Sequence, residues 1–456
     1  MKLPEWPSPK GYRDIKFGLD RVYDLLERLG NPHYLLPPTI HIAGTNGKGS
    51  NIAYLDAIFT DAGYKTHKYI SPHLVEFNER IILAGKEITD DYLTQILNEC
   101  KKAAEIEPKI NVTFFEGITI AAFLAFSRIE ADILLLEVGM GGRLDATNVI
   151  LDPIATIITP ISNDHQEFLG NSLAKIAFEK AGIIKEGVPV IIGKQKDEAL
   201  KILTHIAQKK NCPLYILGRD WDVTDDGNKI KMNINDHKLK LPPPALVGRH
   251  QIENASTAIA AILSQNSLEV SDLNLFHGLK QVKWPARLEK IKSGKLVNKL
   301  IKNFDIYLDG GHNENSSQAV NNWLIKENMK LIKRNIKPPP TYLVCAMLEN
   351  KNIFRFLKYL SGRVDFVIGM AIKDENQTKT AEKIAKNALE VGIVAIDAKD
   401  FTEAFHYIKM IDEDKKKKGF LRKLNPFKKN NKARILICGS LYFAGQFMEE
   451  NAEKER

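Results

Sequence analysis

Seven residues, Gly44 to Ser50, read GTNGKGS. Glycines at this density let a backbone close around phosphate oxygens. Lys48 can neutralise β/γ-phosphate charge, and Ser50 can reach a Mg²⁺ ion. The common phosphate loop, GxxxxGK followed by Ser or Thr, is not met. Gly49 stands directly after Lys48, and Gly44 lies too close to Gly47. On the loop alone three readings stay open: a damaged phosphate loop, an incidental glycine turn, and a nucleotide site of another kind. The context lowers the weight of the glycine turn. Thr39–Ala43 precedes the loop as a strand, and Asn51–Ala62 follows as a helix with Ile52, Leu55, Ile58 and Phe59 on one face. A helix N-terminus offers unpaired N–H groups and a positive dipole end to an anion.

Glu137 closes the apolar run Asp132–Val138, DILLLEV, which reads as a strand buried on both faces. A carboxylate at the C-terminal end of such a strand lies at the crevice where α/β sheets bind ligands. It can be a metal ligand or a general base, or a capped, solvated glutamate. Asn163-Asp164-His165 follows the next strand in the same way. Ser71-Pro72-His73-Leu74 and Asn78-Glu79-Arg80, taken alone, are ordinary polar loop. Ser50, Ser71, Glu137 and His165 together form a hard, oxygen-rich set with one imidazole. That set suits Mg²⁺ held largely through phosphates and water, and it does not suit tetrahedral zinc.

The elements that must position these residues alternate. Ile154–Ile161 and Val188–Ile192 read as further strands, with helical Ser172–Lys185 between them, so the sheet is mostly parallel. Residues 219–242 break the rhythm as a small antiparallel insertion. Helical periodicity returns in Gln251–Leu263. From about residue 303 a second series begins, with strands at Asp305–Leu308, Tyr342–Met347, Asp365–Met370, Ile393–Ile396 and Ile435–Cys438. The expectation is a P-loop-type, mostly parallel ATPase domain over 1–293, then a smaller Rossmann-like α/β domain over 294–456, divided near Ser293–Gly294.

The 456-residue chain is long enough for two or three domains, and its 44% apolar and 27% charged content is that of a globular protein. The net charge of +9 is local. Residues 415–434 hold ten Lys/Arg and no acid, and the rest of the chain sums to −1. The lysine-rich stretch 415–432 reads as a solvated, partly disordered loop ahead of the last strand, so neither a nucleic-acid nor a membrane partner is expected. Cys100, Cys212, Cys345 and Cys438 are scattered without a CxxC pair, which suits reduced thiols in a cytoplasm. The first residues lack a signal peptide's apolar core, and no run approaches the roughly 20 apolar residues that span a bilayer.

In this order, Gly44–Ser50, Ser71–Leu74, Leu136–Asn148, Asn163–His165, Glu179–Ile183, Asn254 within His250–Thr257, Pro285-Ala286-Arg287, Asp309–Asn313 and Gly439–Tyr442 resemble the folate branch of the Mur ligase family, the folylpolyglutamate and dihydrofolate synthases. The likeness runs from about Phe17 to Tyr442. In that branch a small residue and then a hydroxyl residue follow GTNGK, so Gly49-Ser50 is the family's version of the loop. The resemblance implies a monomeric, cytoplasmic, ATP- and Mg²⁺-dependent ligase that joins L-glutamate to dihydropteroate or to reduced folates through an acyl phosphate.

By the same resemblance, Lys48 holds phosphates beside Thr45, Asn46, Gly47 and Gly49, and Ser50, Ser71, Glu137 and His165 surround metal. Arg80 belongs to the catalytic set. Lys180 matches the lysine that family members carbamylate; unmodified, it is a plain helix-face lysine. Asn254, Arg287 and Asp309 match nucleotide contacts, and His312 and Ser440 line the glutamate pocket. Phe17, Gly18, Leu19, Phe115, Glu116, Leu144, Asp145 and Ala146 match pterin-site segments. The segments Phe17–Asp20 and Phe115–Thr119 favour a bifunctional enzyme over folylpolyglutamate synthesis alone. Gly310-Gly311 and Glu314 depart from the family's apolar-Ala pair and Pro, and are expected to loosen that loop. Cell-wall Mur ligases share the chemistry, but a phosphate loop at residue 44 leaves no room for their N-terminal domain. A P-loop nucleotide-dependent nucleic-acid-binding protein is the more remote alternative.

Overall fold

Eight strands make the larger sheet: β1 (Thr39–Ala43), β2 (Thr66–Tyr69), β3 (Ile81–Leu83), β4 (Lys86–Glu87), β5 (Ile133–Glu137), β6 (Ala155–Ile158), β7 (Val190–Ile192) and β8 (Leu214–Ile216). Their order is β4-β3-β2-β5-β1-β6-β7-β8. The six strands from β2 to β8 are parallel, and β3 and β4 are added beyond β2 by successive antiparallel pairings. Every residue of β1 and β5 is buried, as expected of strands covered on both faces. The covering helices are α1 (Asp20–Arg28), α2 (Lys48–Asp61), α3 (Asp90–Glu105), α4 (Phe114–Phe126), α5 (Gln166–Leu169), α6 (Leu173–Ala181), α7 (Asp197–Lys209), α8 (Arg249–Ser264) and α9 (Asp272–Gln281). Strands β9 (Trp221–Asp225), β10 (Ile230–Ile234) and β11 (His237–Leu241) form the expected antiparallel insertion.

The smaller sheet has β12 (Glu289–Ile291), β13 (Phe304–Asp309), β14 (Thr341–Cys345), β15 (Phe366–Gly369), β16 (Ala395–Asp397) and β17 (Ala433–Cys438), in the order β12-β13-β17-β14-β15-β16. Only β12 is antiparallel. Its helices are α10 (Glu314–Lys333), α11 (Ile353–Lys358), α12 (Ala381–Glu390), α13 (Phe401–Phe420) and α14 (Leu441–Asn451).

The computed structural model describes residues 4–7, 18–227, 229–373, 375, 377–420 and 432–453. Two units emerge, Met1–Ala245 with His250–Lys283, and Leu246–Arg249 with Trp284–Arg456. The expected division at Ser293–Gly294 therefore falls inside the second unit, because β12 pairs with β13. The lysine-rich stretch also departs from expectation at its start. Residues 415–420 are the last residues of α13 and not loop. Lysine is a good helix former, and positive charge at a helix C-terminus is favourable. Lys415 is tied to Asp365 at 3.1 Å. Phe17 and residues 421–431 lie outside the described residues. Among the described residues no helix is long and apolar enough to cross a membrane.

Candidate functional site

In the larger sheet, β1 lies between β5 and β6, the point where the strand order reverses. Ligands of open α/β sheets bind at such a point, beyond the strands' C-terminal ends. Glu137 stands opposite Ile42, and Ile158 opposite Ala43. The loop from Gly44 to Gly47 leaves this edge and enters α2. Gly44 (φ +148°) and Gly47 (φ +92°) hold conformations that side chains disfavour. There is also no space for one: a Cβ on Gly44 would lie 1.8 Å from Thr159 Oγ1, and one on Gly47 would lie 2.5 Å from Asn254 Oδ1.

The loop is fastened to the segment after β6. The Thr45 and Asn46 amides donate to the Pro160 carbonyl at 3.0 and 3.2 Å. Thr45 Oγ1 donates to Ser162 O at 3.2 Å and accepts from Ser162 N at 3.1 Å, while Asn46 Nδ2 donates to Ser162 Oγ at 3.3 Å. Thr45 and Asn46 therefore hold the loop to the segment after β6. The N-terminus of α2 has no side-chain cap, so its first N–H groups are available to an anion.

Charge converges here. Lys48 Nζ lies 3.6 Å from Glu137 Oε1, and Ser71 N donates to Glu137 Oε2 at 3.4 Å. Lys180, on α6, is buried and donates to the Gly44 carbonyl at 2.9 Å. Burial, reinforced by the Lys48 ammonium and opposed by Asp164 and Asp145, brings its pKa down to about 7. The neutral amine is thus accessible near neutral pH. His165 caps α5 in a left-handed conformation (φ +49°), its amide donating to Asp164 Oδ1 at 3.0 Å. It joins the group through Asp164, whose charge acts on Lys180.

Among the described residues, no three His, Cys, Asp or Glu side chains converge as a metal cage. Ser50, Ser71 and Glu137 instead offer a few hard oxygens beside a phosphate loop. That donor set fits a Mg²⁺-like ion that takes its remaining ligands from phosphates and water.

The Ser71 loop is built by its own residues. Glu79 accepts from the amides of Leu74, Val75 and Glu76 at 2.7–2.8 Å. Arg80 is buried, lies over the rings of Phe77 and Phe114, and donates from Nε to His73 Nδ1 at 2.9 Å. Burial, with help from this guanidinium, pushes the His73 pKa down to about 4.

The structure also brings together the segments around Leu19, Phe115 and Ala146 in one core. Phe115 packs on Gly139, where a Cβ would meet its ring at 2.4 Å, and faces Tyr69 with ring centroids 6.0 Å apart. Glu116 closes a capping box with Thr113 on α4 and pairs with Arg21 at 2.7 Å, which brings the Gly18–Leu19 end of α1 alongside. Asp145 turns inward: it accepts from Met140 N, Thr147 N and Thr147 Oγ1 at 2.8, 3.1 and 2.6 Å, and burial raises its pKa. Its carboxylate folds the Gly139–Thr147 loop, with partly exposed Leu144 and buried Ala146 beside it.

In the second unit, β17 lies between β13 and β14, with Asp309 and Cys345 both opposite Cys438. Asp309 accepts from Leu288 N at 2.9 Å and Gly311 N at 2.8 Å, and burial raises its pKa. Arg287 sits between two left-handed residues, Ala286 (φ +53°) and Leu288 (φ +49°), the kind of backbone strain found where a side chain must be aimed. His312 Nδ1 is 3.4 Å from the Gly310 carbonyl, and Ser440 Oγ caps α14 by accepting from Tyr442 N at 3.2 Å.

Gly310-Gly311 does not loosen its loop, contrary to expectation. Gly310 N donates to Ala286 O at 2.9 Å, and Cβ atoms at the two positions would meet Leu441 Cδ2 at 2.3 Å and Ser316 Cβ at 2.6 Å. The missing side chains admit close packing. Sequence reasoning missed Ser162 and Gln251, whose partners lie over a hundred residues away.

These features define a phosphate-loop, nucleotide-type site at the edge of an α/β sheet. Residues 42–262 match the Mur ligase middle domain, and residues 294–450 the C-terminal domain of dihydrofolate synthetase. The chain is 32% identical over 442 residues to the dihydrofolate synthase/folylpolyglutamate synthase of Bacillus subtilis, covering 94% of each chain. It is 33% identical over 448 residues to the dihydrofolate synthetase of Saccharomyces cerevisiae, covering 95% of this chain and 97% of that one. The bifunctional folylpolyglutamate synthase/dihydrofolate synthase of Yersinia pestis, solved with AMPPNP and Mn ion, matches with a TM-score of 0.76 at 26% identity, covering 96% and 94% of the two chains. The chain belongs to the dihydrofolate synthase/folylpolyglutamate synthase family.

Proposed function

We propose that this chain adds L-glutamate to dihydropteroate and to reduced folates in an ATP-dependent, amide-forming reaction. The observation that carries this reading is the convergence of Lys48, Glu137 and Lys180 on an uncapped helix N-terminus at the switch point of the larger sheet. An acceptor carboxylate attacks the γ-phosphorus of ATP, ADP leaves, and an acyl phosphate forms. The glutamate amine then attacks the acyl carbon, loses a proton, and phosphate departs as the amide forms. Two anions must meet in the first step, so fixed positive charge is the main device.

Lys48 supplies that charge at the phosphates, with Thr45, Asn46, Gly47, Gly49, Asn254 and Arg287 as nucleotide contacts. Asp309 contributes through lone pairs left over from its backbone bonds. Ser50, Ser71, Glu137 and His165 would hold Mg²⁺, which when bound offsets phosphate charge. Lys180 as a neutral amine can add carbon dioxide, giving an anionic carbamate beside Lys48. Arg80, through His73, holds the Ser71 loop. Gly18, Leu19, Phe115, Glu116, Leu144, Asp145 and Ala146 border the pterin, and His312 and Ser440 the glutamate. We place the enzyme in the cytoplasm, in keeping with its four free cysteines.

The match of residues 294–450 to dihydrofolate synthetase favours a second reading, dihydrofolate synthesis alone. ADP release measured with glutamate and, in turn, dihydropteroate and tetrahydrofolate separates the cases. Turnover with both acceptors supports bifunctionality, and turnover with one assigns a single activity. ADP release that ignores glutamate contradicts the ligase.

A further inference from the structure

Gln251 has no part in the roles assigned above. It lies on α8 three residues before Asn254, so the two side chains share one face of the helix. It is 1% exposed. Its Nε2 donates to Ser50 Oγ at 3.3 Å, and its Oε1 accepts from Asn254 Nδ2 at 3.2 Å and from the Tyr54 hydroxyl at 3.5 Å. With the Asn254 nitrogen and the Tyr54 hydroxyl as donors, the Gln251 oxygen faces them and its nitrogen faces Ser50. One lone pair of Ser50 Oγ is then occupied, and its hydroxyl hydrogen and other lone pair are left for the phosphate loop. Asn254 in turn borders Gly47, where a Cβ would touch its Oδ1.

We propose that Gln251 is a positioning residue that acts through Ser50: it fixes the hydroxyl's orientation toward the metal and phosphates, and ties it to the nucleotide contact Asn254. This rests on the assignment of Ser50 to metal and Asn254 to nucleotide made above. The physical reason is burial. A buried hydroxyl and two buried amides satisfy one another only by turning in concert, so removing the central amide leaves the outer two to reorient. Residues that orient a metal ligand from behind typically change metal affinity by about 10–100-fold when lost.

The test is a double-mutant cycle on Gln251→Met and Ser50→Ala, read as AMPPNP affinity by calorimetry with Mg²⁺ and with EDTA. In the wild-type protein Mg²⁺ tightens binding. Gln251→Met is expected to cut that gain about tenfold in protein that still folds, and to add nothing further in the Ser50→Ala background. A Mg²⁺-linked gain unchanged by Gln251→Met, or losses that simply add in the double variant, overturns the proposal. Should Gln251→Met fail to fold, Gln251→Glu, which keeps an oxygen for Asn254 and Tyr54, takes its place in the cycle under the same criteria. A wild-type protein with no Mg²⁺-linked gain overturns instead the site assignment on which the proposal stands.

Discussion

Both sheets end in the same device, used in opposite ways. In each, a strand lies between two others and runs through a left-handed glycine into a helix: β1 through Gly44 into α2, and β17 through Gly439 into α14. In the first, the helix N-terminus carries no side-chain cap. In the second, Ser440 supplies one from within the chain. The same contrast extends to the carboxylates. Glu137 faces Lys48 Nζ at 3.6 Å and the Ser71 amide at 3.4 Å, whereas Asp309 is bound by two backbone amides below 3 Å. One topology thus yields a helix N-terminus open to an anion in the larger sheet and one capped from within the chain in the smaller.

The largest effect is expected at the uncapped helix N-terminus. Lys48→Ala should lower glutamate-dependent ADP release by about 10²–10³-fold with the thermal midpoint unchanged, since Lys48 meets a carboxylate and no core. Near-normal turnover would remove the phosphate-loop assignment.

Lys180→Met comes next, with turnover down by about 10–100-fold. Its stability sharpens the point. The folded-state pKa of about 7 lies below the ordinary 10.5, so between these values the unfolded chain binds more protons and wild-type stability rises with pH. The variant lacks that titration. Its stability relative to wild type should be greatest below pH 7 and fall toward pH 10.5. Denaturant unfolding at several pH values reads this directly, and a pH-independent difference would refute the buried, neutral amine.

Ser440→Ala tests the other region. Loss of the cap should cost about 1 kcal/mol of stability. If the hydroxyl serves glutamate as well, KM for glutamate rises while kcat holds; a cap alone leaves KM unchanged. The smallest effect is expected from deleting residues 421–431 and closing with a short Gly-Ser link, because closure entropy changes slowly with loop length. Turnover within about twofold of wild type is the expected result, and a folded but inactive variant would give the basic segment a part in the reaction.

What the sequence disclosed follows the range of the interactions. The Gly44–Ser50 loop and Glu137 were legible because their meaning is local: a strand end, glycines, a lysine, a helix start. β2 was not, since THKY is short and has no clear apolar period, and it becomes a strand through pairing with β5. The partnership of Gln251 with Ser50 spans 201 residues, and that of Ser162 with Asn46 spans 116. No spacing rule reaches that far. Gly310-Gly311 was legible as composition, yet its tight packing depends on Leu441 and Ser316, and Asp145 was legible as a site residue while its carboxylate works inside its own loop.

The central claim is that the acceptor carboxylate is phosphorylated at the Lys48 loop before glutamate attacks. Dihydropteroate labelled with ¹⁸O in its carboxylate, turned over with ATP and glutamate, tests this by mass spectrometry of the released phosphate. One ¹⁸O is expected to pass to phosphate for each glutamate joined. Phosphate free of label, with ADP still released, would contradict it.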